Sequence, residues 1–305
     1  MTTQAKPVPA ALLADGNHDP SSELDRGLEY DVSTLLNRRS AAFGLLGGIG
    51  LLGLAACGTS TESGATGTTS ASTTSSTTSA TSSASSSSTA SATASTVNAV
   101  VPNETGGPYP GDGSNGKNVL DDSGIIRSDI RSSFGTSTTT AEGIPMTVNL
   151  TVTDSTKGYA AMSGAAVSLW HCNRAGEYSM YSQGVEQENY LRGVQATNDA
   201  GTATFTSIFP AAYSGRWPHI HFEVYKSTDD ATSSGQIVKT SQIALPEAAC
   251  KVVYATSGYE ASVRNLAGTS LTSDNVFGDD GGIHQLATVT GSADEGYVVN
   301  LTIGV

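Results

Sequence analysis

The sequence predicts an all-β fold, an antiparallel β-sandwich with long loops, and three observations carry that prediction. Apolar residues alternate with polar ones through Met146-Thr147-Val148-Asn149-Leu150-Thr151-Val152, Val167-Ser168-Leu169 and Tyr297-Val298-Val299-Asn300-Leu301-Thr302-Ile303. That is the period of a strand with one face on a core. Turn-forming stretches such as Asn198-Asp199-Ala200-Gly201 separate the runs, as short antiparallel connections require. Helical periodicity is scarce, with Glu247 to Ala255 the one modest candidate, and no internal repeat is evident.

In chain order, the first element stands outside this fold. Asn37-Arg38-Arg39-Ser40 precedes an apolar run, Phe43 to Leu54, that is rich in Gly and Ala and too short to span a bilayer. The paired arginines resemble a twin-arginine signal, the export route of proteins folded beforehand, often with a cofactor in place. The run closes with Leu54-Ala55-Ala56-Cys57-Gly58, which resembles a bacterial lipobox and implies cleavage before Cys57 and lipid on its thiol. The alternative is a plain signal peptide with a chance cysteine. Residues 1–57 are therefore expected to be an export signal. The protein would sit on the extracellular face of the cell membrane as a lipoprotein, or be secreted, with membrane contact only through a lipid anchor on Cys57. Met1 to Leu36 is a long polar leader with no separate function assigned.

Residues 58–96 are expected to be a linker. From 59 to 96 the chain is almost wholly Ser, Thr, Ala and Gly, with one Glu and no aromatic residue. It has too little apolar surface to offset its ordering entropy and should act as a flexible tether. Residues 97–305 then suffice for one packed catalytic domain. From Cys57 onward there are 22 acidic and 11 basic residues, a net charge of −11. With no block of Lys and Arg, nucleic acid is excluded as a partner. Cys172 and Cys250 remain as an even pair in an exported domain, which invites a disulfide; two unrelated buried thiols are the alternative.

The chemistry-bearing residues lie between Trp170 and Tyr225. His219-Ile220-His221-Phe222-Glu223-Val224-Tyr225 reads as a strand with both histidines on one face and Ile220, Phe222 and Val224 on the other. Two imidazoles so placed suit one metal ion, and copper, zinc and iron sites all use the pattern, so it does not choose the metal. Two tyrosines precede them, Tyr178 in Gly176-Glu177-Tyr178-Ser179 and Tyr213 in Pro210-Ala211-Ala212-Tyr213, with no carboxylate between Tyr213 and His221. Phenolate is a hard, strongly donating anion that a trivalent cation can hold at neutral pH. Two phenolates with two neutral imidazoles suit Fe(III), whereas zinc more usually takes Cys, His or carboxylate.

These motifs together resemble the intradiol ring-cleavage dioxygenases, the catechol and protocatechuate dioxygenase-like family. The resemblance runs through Leu169-Trp170-His171-Cys172, Leu191-Arg192-Gly193, Thr197-Asn198-Asp199-Ala200-Gly201 and Arg216-Trp217-Pro218-His219-Ile220-His221-Phe222, besides the two tyrosine motifs. Upstream, Glu104-Thr105-Gly106-Gly107-Pro108-Tyr109 and Ile126-Arg127-Ser128-Asp129-Ile130 look like the family's leading segment. Two departures are visible. No helical dimerisation segment like that of the catechol-specific branch is present, and the tether with its lipobox looks like a secreted lipoprotein branch.

The resemblance implies non-haem Fe(III) held by Tyr178, Tyr213, His219 and His221. It implies that Tyr213 leaves the metal when a catechol binds and takes up a substrate proton as general base. Arg216, three residues before the first histidine, would stabilise charge on the ketonised substrate. Gln242, in Thr240-Ser241-Gln242-Ile243, looks like the family's active-site glutamine, at a longer spacing from His221 than in the catechol branch. Tyr109 would line the substrate pocket. The expected partners are a small aromatic diol and O2, and the expected product is a cis,cis-muconate-type diacid.

Plain structural alternatives stand beside these assignments. Tyr178 and Tyr213 could be packed tyrosines, Arg216 a surface ion-pair residue, and Tyr109 mere packing at the domain's leading edge. His171 is expected to be structural and His284 a loop residue. At the level of function the alternatives are a non-catalytic, surface-tethered β-sandwich binding module and a zinc hydrolase built on the HxH strand. Neither accounts for the ordered Tyr, Tyr, Arg, His, His set.

Overall fold

The alternation seen in the sequence becomes two stacked sheets in the computed structural model, which describes residues 98–305. Arg38, Arg39, Cys57 and the 58–96 linker lie outside the described residues. The first sheet is built on β1 (Pro145–Asp154), whose Met146, Val148, Leu150 and Val152 are buried while their neighbours are not. One edge of β1 pairs antiparallel with β2 (Ala160–Ala161) and with β5 (Thr202–Ile208). The second sheet contains β3 (Ala166–Trp170) and β4 (Arg192–Ala196). β5 (Thr202–Ile208) returns along β1, with Phe205 opposite Val148.

The turn into β5 is the one the sequence marks. Asn198 Oδ1 accepts from the backbone N–H groups of Ala200 and Thr202. Gly201 sits at φ 75°, where a Cβ would lie 2.6 Å from the Val152 carbonyl oxygen, so only glycine fits there. β6 (His219–Tyr225) and β7 (Ile237–Ala244) complete the second sheet in the order β4-β3-β6-β7, antiparallel throughout. β8 (Thr288–Ser292) and β9 (Gly296–Gly304) complete the first.

The antiparallel sandwich is thus observed, with one parallel pair. β9 runs parallel to β1, Met146 opposite Tyr297 and Thr153 opposite Gly304. A parallel pair needs a long crossover, and the rest of the domain supplies it.

The sandwich core lies between the sheets. Val167, Leu169, Ile220, Phe222, Val224 and Ile243 from the second sheet pack against Met146, Val148, Leu150, Phe205 and Val299 from the first. Each fully buried side chain of this size contributes about 1.5–3 kcal/mol. The outer face of the second sheet is buried too, but loops cover it. Val119, Leu120 and Ile125 of the leading segment pack on Ala166, Val194 and Tyr225, and Tyr178 and Ala211 pack on Trp170. His219 and His221 belong to this loop-covered face.

Three helices follow β6 among the described residues: α1 (Thr228–Thr232), α2 (Glu247–Tyr254) and α3 (Glu260–Ala267). α2 matches the candidate segment. α3 was not anticipated, because it docks largely through polar groups and shows little apolar periodicity. Its buried residues are Ser262 and Leu266, and Ser262 Oγ accepts from Ala212 N (3.0 Å) while Asn265 Nδ2 donates to Ala212 O (2.8 Å).

The cysteine pair requires a correction. Cys172 and Cys250 are two free, buried thiols and form no disulfide. Cys172 packs with Trp170 and Tyr178 and points its Sγ at the Ala211 carbonyl, 3.7 Å away, whereas Cys250 is part of the sandwich core. Burial pushes both thiols up to about 12, so both are held neutral and unreactive.

Candidate metal centre

The period of β6 sets the two histidines side by side on the loop-covered face, and their Nε2 atoms lie 3.1 Å apart. Tyr213 Oη is 3.1 Å from His219 Nε2. The Tyr178 ring stands edge-on to both Tyr213 (5.9 Å between centroids) and His221 (6.1 Å). Tyr178, His219 and His221 are buried and Tyr213 is half-buried. The four residues expected to hold a metal are therefore brought together.

Local structure fixes each one. His219 Nδ1 lies 2.6 Å from the Trp217 carbonyl, which places the proton on Nδ1 and leaves the Nε2 lone pair facing inward. Trp170, the register partner of His221 across β3 and β6, stacks on its ring at 5.0 Å and 4° between planes. Tyr178 begins a turn in which its carbonyl accepts from Tyr181 N and Ser182 N, while its own N–H donates to Ser182 Oγ. Arg192, which is buried, secures the next residue through Ser179 Oγ and Ser179 O, and reaches Pro110 O as well. Tyr213 follows Ala212, whose N–H and C=O are both tied to α3.

The electrostatics of this cluster suit the binding of a cation. Burial, then the Arg216 charge, holds His219 well below the usual histidine range; burial, His219 and Arg216 do the same for His221. Both imidazoles are thus neutral and able to donate a lone pair. Burial and the nearby Tyr213 hold Tyr178 well above the usual phenol range, and burial, partly offset by Arg216, pushes Tyr213 up to about 12. Neither phenol ionises here without added positive charge.

Buried polar atoms left over point the same way. Among the described residues Tyr178 Oη and His221 Nδ1 make no well-formed hydrogen bond, Tyr178 having only the Tyr213 phenol close by, and an unsatisfied buried hydroxyl costs about 1–3 kcal/mol. Ligand nitrogens about 2.1 Å from a metal and at right angles to each other are about 3 Å apart, the separation seen between the two Nε2 atoms. Among the described residues no group of three His, Cys, Asp or Glu side chains is placed to hold a metal. Tyr178 and Tyr213 are the oxygen donors that stand beside His219 and His221, and a set of phenolates and imidazoles would fit a hard trivalent ion.

The remaining candidates are also at this site. Gln242 lies opposite His221 in the β6–β7 register; its Oε1 accepts from Arg216 Nη2 (2.6 Å) and its Nε2 donates to Thr105 O (2.9 Å). Arg216 Nε pairs with Asp274 Oδ2 at 2.9 Å. Tyr109, half-buried, packs its ring 5.0 Å from Tyr178 and 5.1 Å from Tyr181. Gly107, at φ 73°, leaves clearance over His221, where a Cβ would meet Cε1 at 3.2 Å.

Two neighbours were not singled out from sequence. Trp170 could have been found from strand pairing once His221 was placed; Asp274 had no signal. His171, expected to be structural, is buried with Nδ1 2.8 Å from Cys172 O and Nε2 2.7 Å from Ser207 Oγ.

A family model described as Dioxygenase matches residues 129–232. No curated protein matches the sequence. An intradiol ring-cleavage dioxygenase from Tetranychus urticae is 25% identical, with a TM-score of 0.50 over 60% of this chain and 87% of that one. The dioxygenase domain of a dioxygenase carbohydrate-binding protein fusion from Streptomyces sp. SirexAA-E is 21% identical, with a TM-score of 0.44 over 68% and 98%. Catechol 1,2-dioxygenase from Pseudomonas arvilla C-1 is 18% identical, with a TM-score of 0.35 over 58% and 55%. Residues 129–232 thus match a dioxygenase family model, and the domain has the fold of an intradiol ring-cleavage dioxygenase.

Proposed function

We propose that the domain is a non-haem Fe(III) dioxygenase that opens catechol-type rings between the two hydroxylated carbons. The observation that carries this is that His219 Nε2 lies 3.1 Å from both Tyr213 Oη and His221 Nε2, with the buried Tyr178 ring edge-on to Tyr213 and His221. The overall reaction joins one catechol and one O2 into one cis,cis-muconate-type diacid, so it balances without a further oxidant or reductant. Bound Fe(III) would supply the charge that ionises the phenols and would draw electron density from a chelating catecholate.

The chain's own groups do the rest. Tyr213, less buried than Tyr178, is the ligand assigned to give way to substrate and accept its proton at Oη. Tyr178 is enclosed and stays. Trp170 holds the His221 ring plane, and Gly107 leaves room beside that ring. Tyr109 forms an aromatic wall against which a substrate ring packs. Arg216 presents positive charge where electron density gathers on the substrate.

The experiment is to load the purified domain with Fe(III), record its visible spectrum and follow oxygen uptake with a panel of catechols. Tyrosinate-to-iron charge transfer gives a red protein whose band shifts on catechol addition. A colourless protein that binds iron elsewhere would refute the assignment. We further propose the export route and the anchor: replacing Arg38 and Arg39 by Lys leaves precursor inside the cell, and Cys57→Ser abolishes lipid attachment.

A further inference from the structure

Arg216 sits in a turn, its N–H on the Tyr213 carbonyl at 3.4 Å, where a long side chain would ordinarily sample several rotamers. Here the guanidinium is tied at two of its three nitrogens. Nε donates to Asp274 Oδ2 and Nη2 donates to Gln242 Oε1. Its plane lies over the Phe277 ring, 5.9 Å from the centroid, and that ring is edge-on to His219 at 6.4 Å. Gln242 is the register partner of His221. The guanidinium is thereby set beside both histidines, and among the described residues Nη1 has no acceptor.

Asp274 is itself immobile. Its side chain is fully buried. Oδ2 accepts from Trp217 N (2.6 Å) besides Arg216 Nε, and Oδ1 accepts from Val276 N (2.8 Å) and Phe277 N (3.1 Å). A carboxylate held by four N–H donors is a rigid acceptor that cannot follow a wandering guanidinium.

We propose that Asp274 is a positioning residue that locks Arg216 so that Nη1 is presented to the substrate. This rests on the ring-cleavage function proposed above and assigns part of its geometry to the C-terminal loop, outside every motif of the metal centre. Donors aligned in advance stabilise developing charge without reorganising, and a misplacement of about 1 Å can cost about a hundredfold in rate. Asp274→Asn must turn an NH2 group toward one of the two donor pairs, so it breaks the arrangement while keeping the shape.

Two readouts on the full chain test this. Before iron loading, the Arg216 Nε–H resonance, identified by its absence in Arg216→Ala, should exchange slowly with solvent in the wild type and rapidly in Asp274→Asn. After iron loading, Asp274→Asn should stay red and lose roughly ten- to a hundredfold in kcat, with KM within about twofold. In the Arg216→Ala background it should cost nothing further, since the two residues act as one unit. Arg216→Lys, which keeps charge but cannot bridge Asp274 and Gln242, should recover little.

A fast-exchanging Nε–H in the wild type would overturn the proposal. So would an equal loss from Asp274→Asn with and without Arg216, which would make Asp274 a support for the loop alone. If Asp274→Asn does not fold, the wild-type resonance and Arg216→Lys decide: wild-type turnover by Arg216→Lys would overturn it. A wild type that binds iron but opens no ring would refute the proposed function, and the resonance alone would still show whether Asp274 fixes the guanidinium.

Discussion

Trp170 lies face to face with His221, with centroids 5.0 Å apart and planes 4° from parallel. The stack follows from register, since the two are opposite each other in β3 and β6. Trp170 is 2% exposed, so Trp170→Ala should cost about 3–5 kcal/mol of stability, measured by denaturant unfolding, and should lower iron affinity by freeing the imidazole. Trp170→Phe keeps an aromatic face and should retain most of the iron. Equal iron affinity in Trp170→Ala and the wild type would dissociate the stack from the metal centre.

Tyr178 makes opposite contributions with and without metal. Among the described residues its buried Oη makes no well-formed hydrogen bond, so Tyr178→Phe should leave the stability of the iron-free protein unchanged or raised. The same change should weaken and shift the visible band of the iron-loaded protein and lower its iron content. Thermal unfolding of both forms checks the pair of expectations; full iron occupancy with an unchanged spectrum would remove Tyr178 from the centre.

Much of this was legible in the sequence, and what was not has a physical cause. The HxH strand was readable because period two separates His219 and His221 from Ile220, Phe222 and Val224, and the core contains those three. Tyr178 and Tyr213 lie in irregular segments with no period, so only their flanking motifs marked them. Asp274 stands in Thr272-Ser273-Asp274-Asn275, within a stretch rich in Ser, Gly and Asp that reads as a solvated loop, yet it is 2% exposed. Nothing local announces a partner 58 residues away in sequence. The parallel β1–β9 pair and the separation of Cys172 from Cys250 are likewise set by long-range packing. α3 escaped notice because Ser262 and Asn265, not an apolar stripe, attach it.

Glu104 gives a pH signature of its own. Its carboxyl is raised to about 7, by burial first and then by Asp279, while Gln285 Nε2 donates to it at 3.3 Å. The folded pKa lies above the unfolded value, so the folded state binds the extra proton between the two. The stabilisation is fully present below about 4.5 and is lost as pH rises through about 7. Glu104→Gln keeps an acceptor for Gln285 and carries no charge. Its stability relative to wild type should therefore increase from pH 5 to pH 8, as read by denaturant midpoints; a pH-independent difference would place the titration elsewhere.

The most direct test of the central claim is turnover of catechol under 18O2 by the iron-loaded wild-type domain, with the product analysed by mass spectrometry. Intradiol cleavage predicts a cis,cis-muconate-type diacid carrying label from both atoms of O2, formed in step with oxygen uptake. A semialdehyde from cleavage outside the diol, label recovered in water or peroxide, or no oxygen uptake from a red, catechol-binding protein would contradict it.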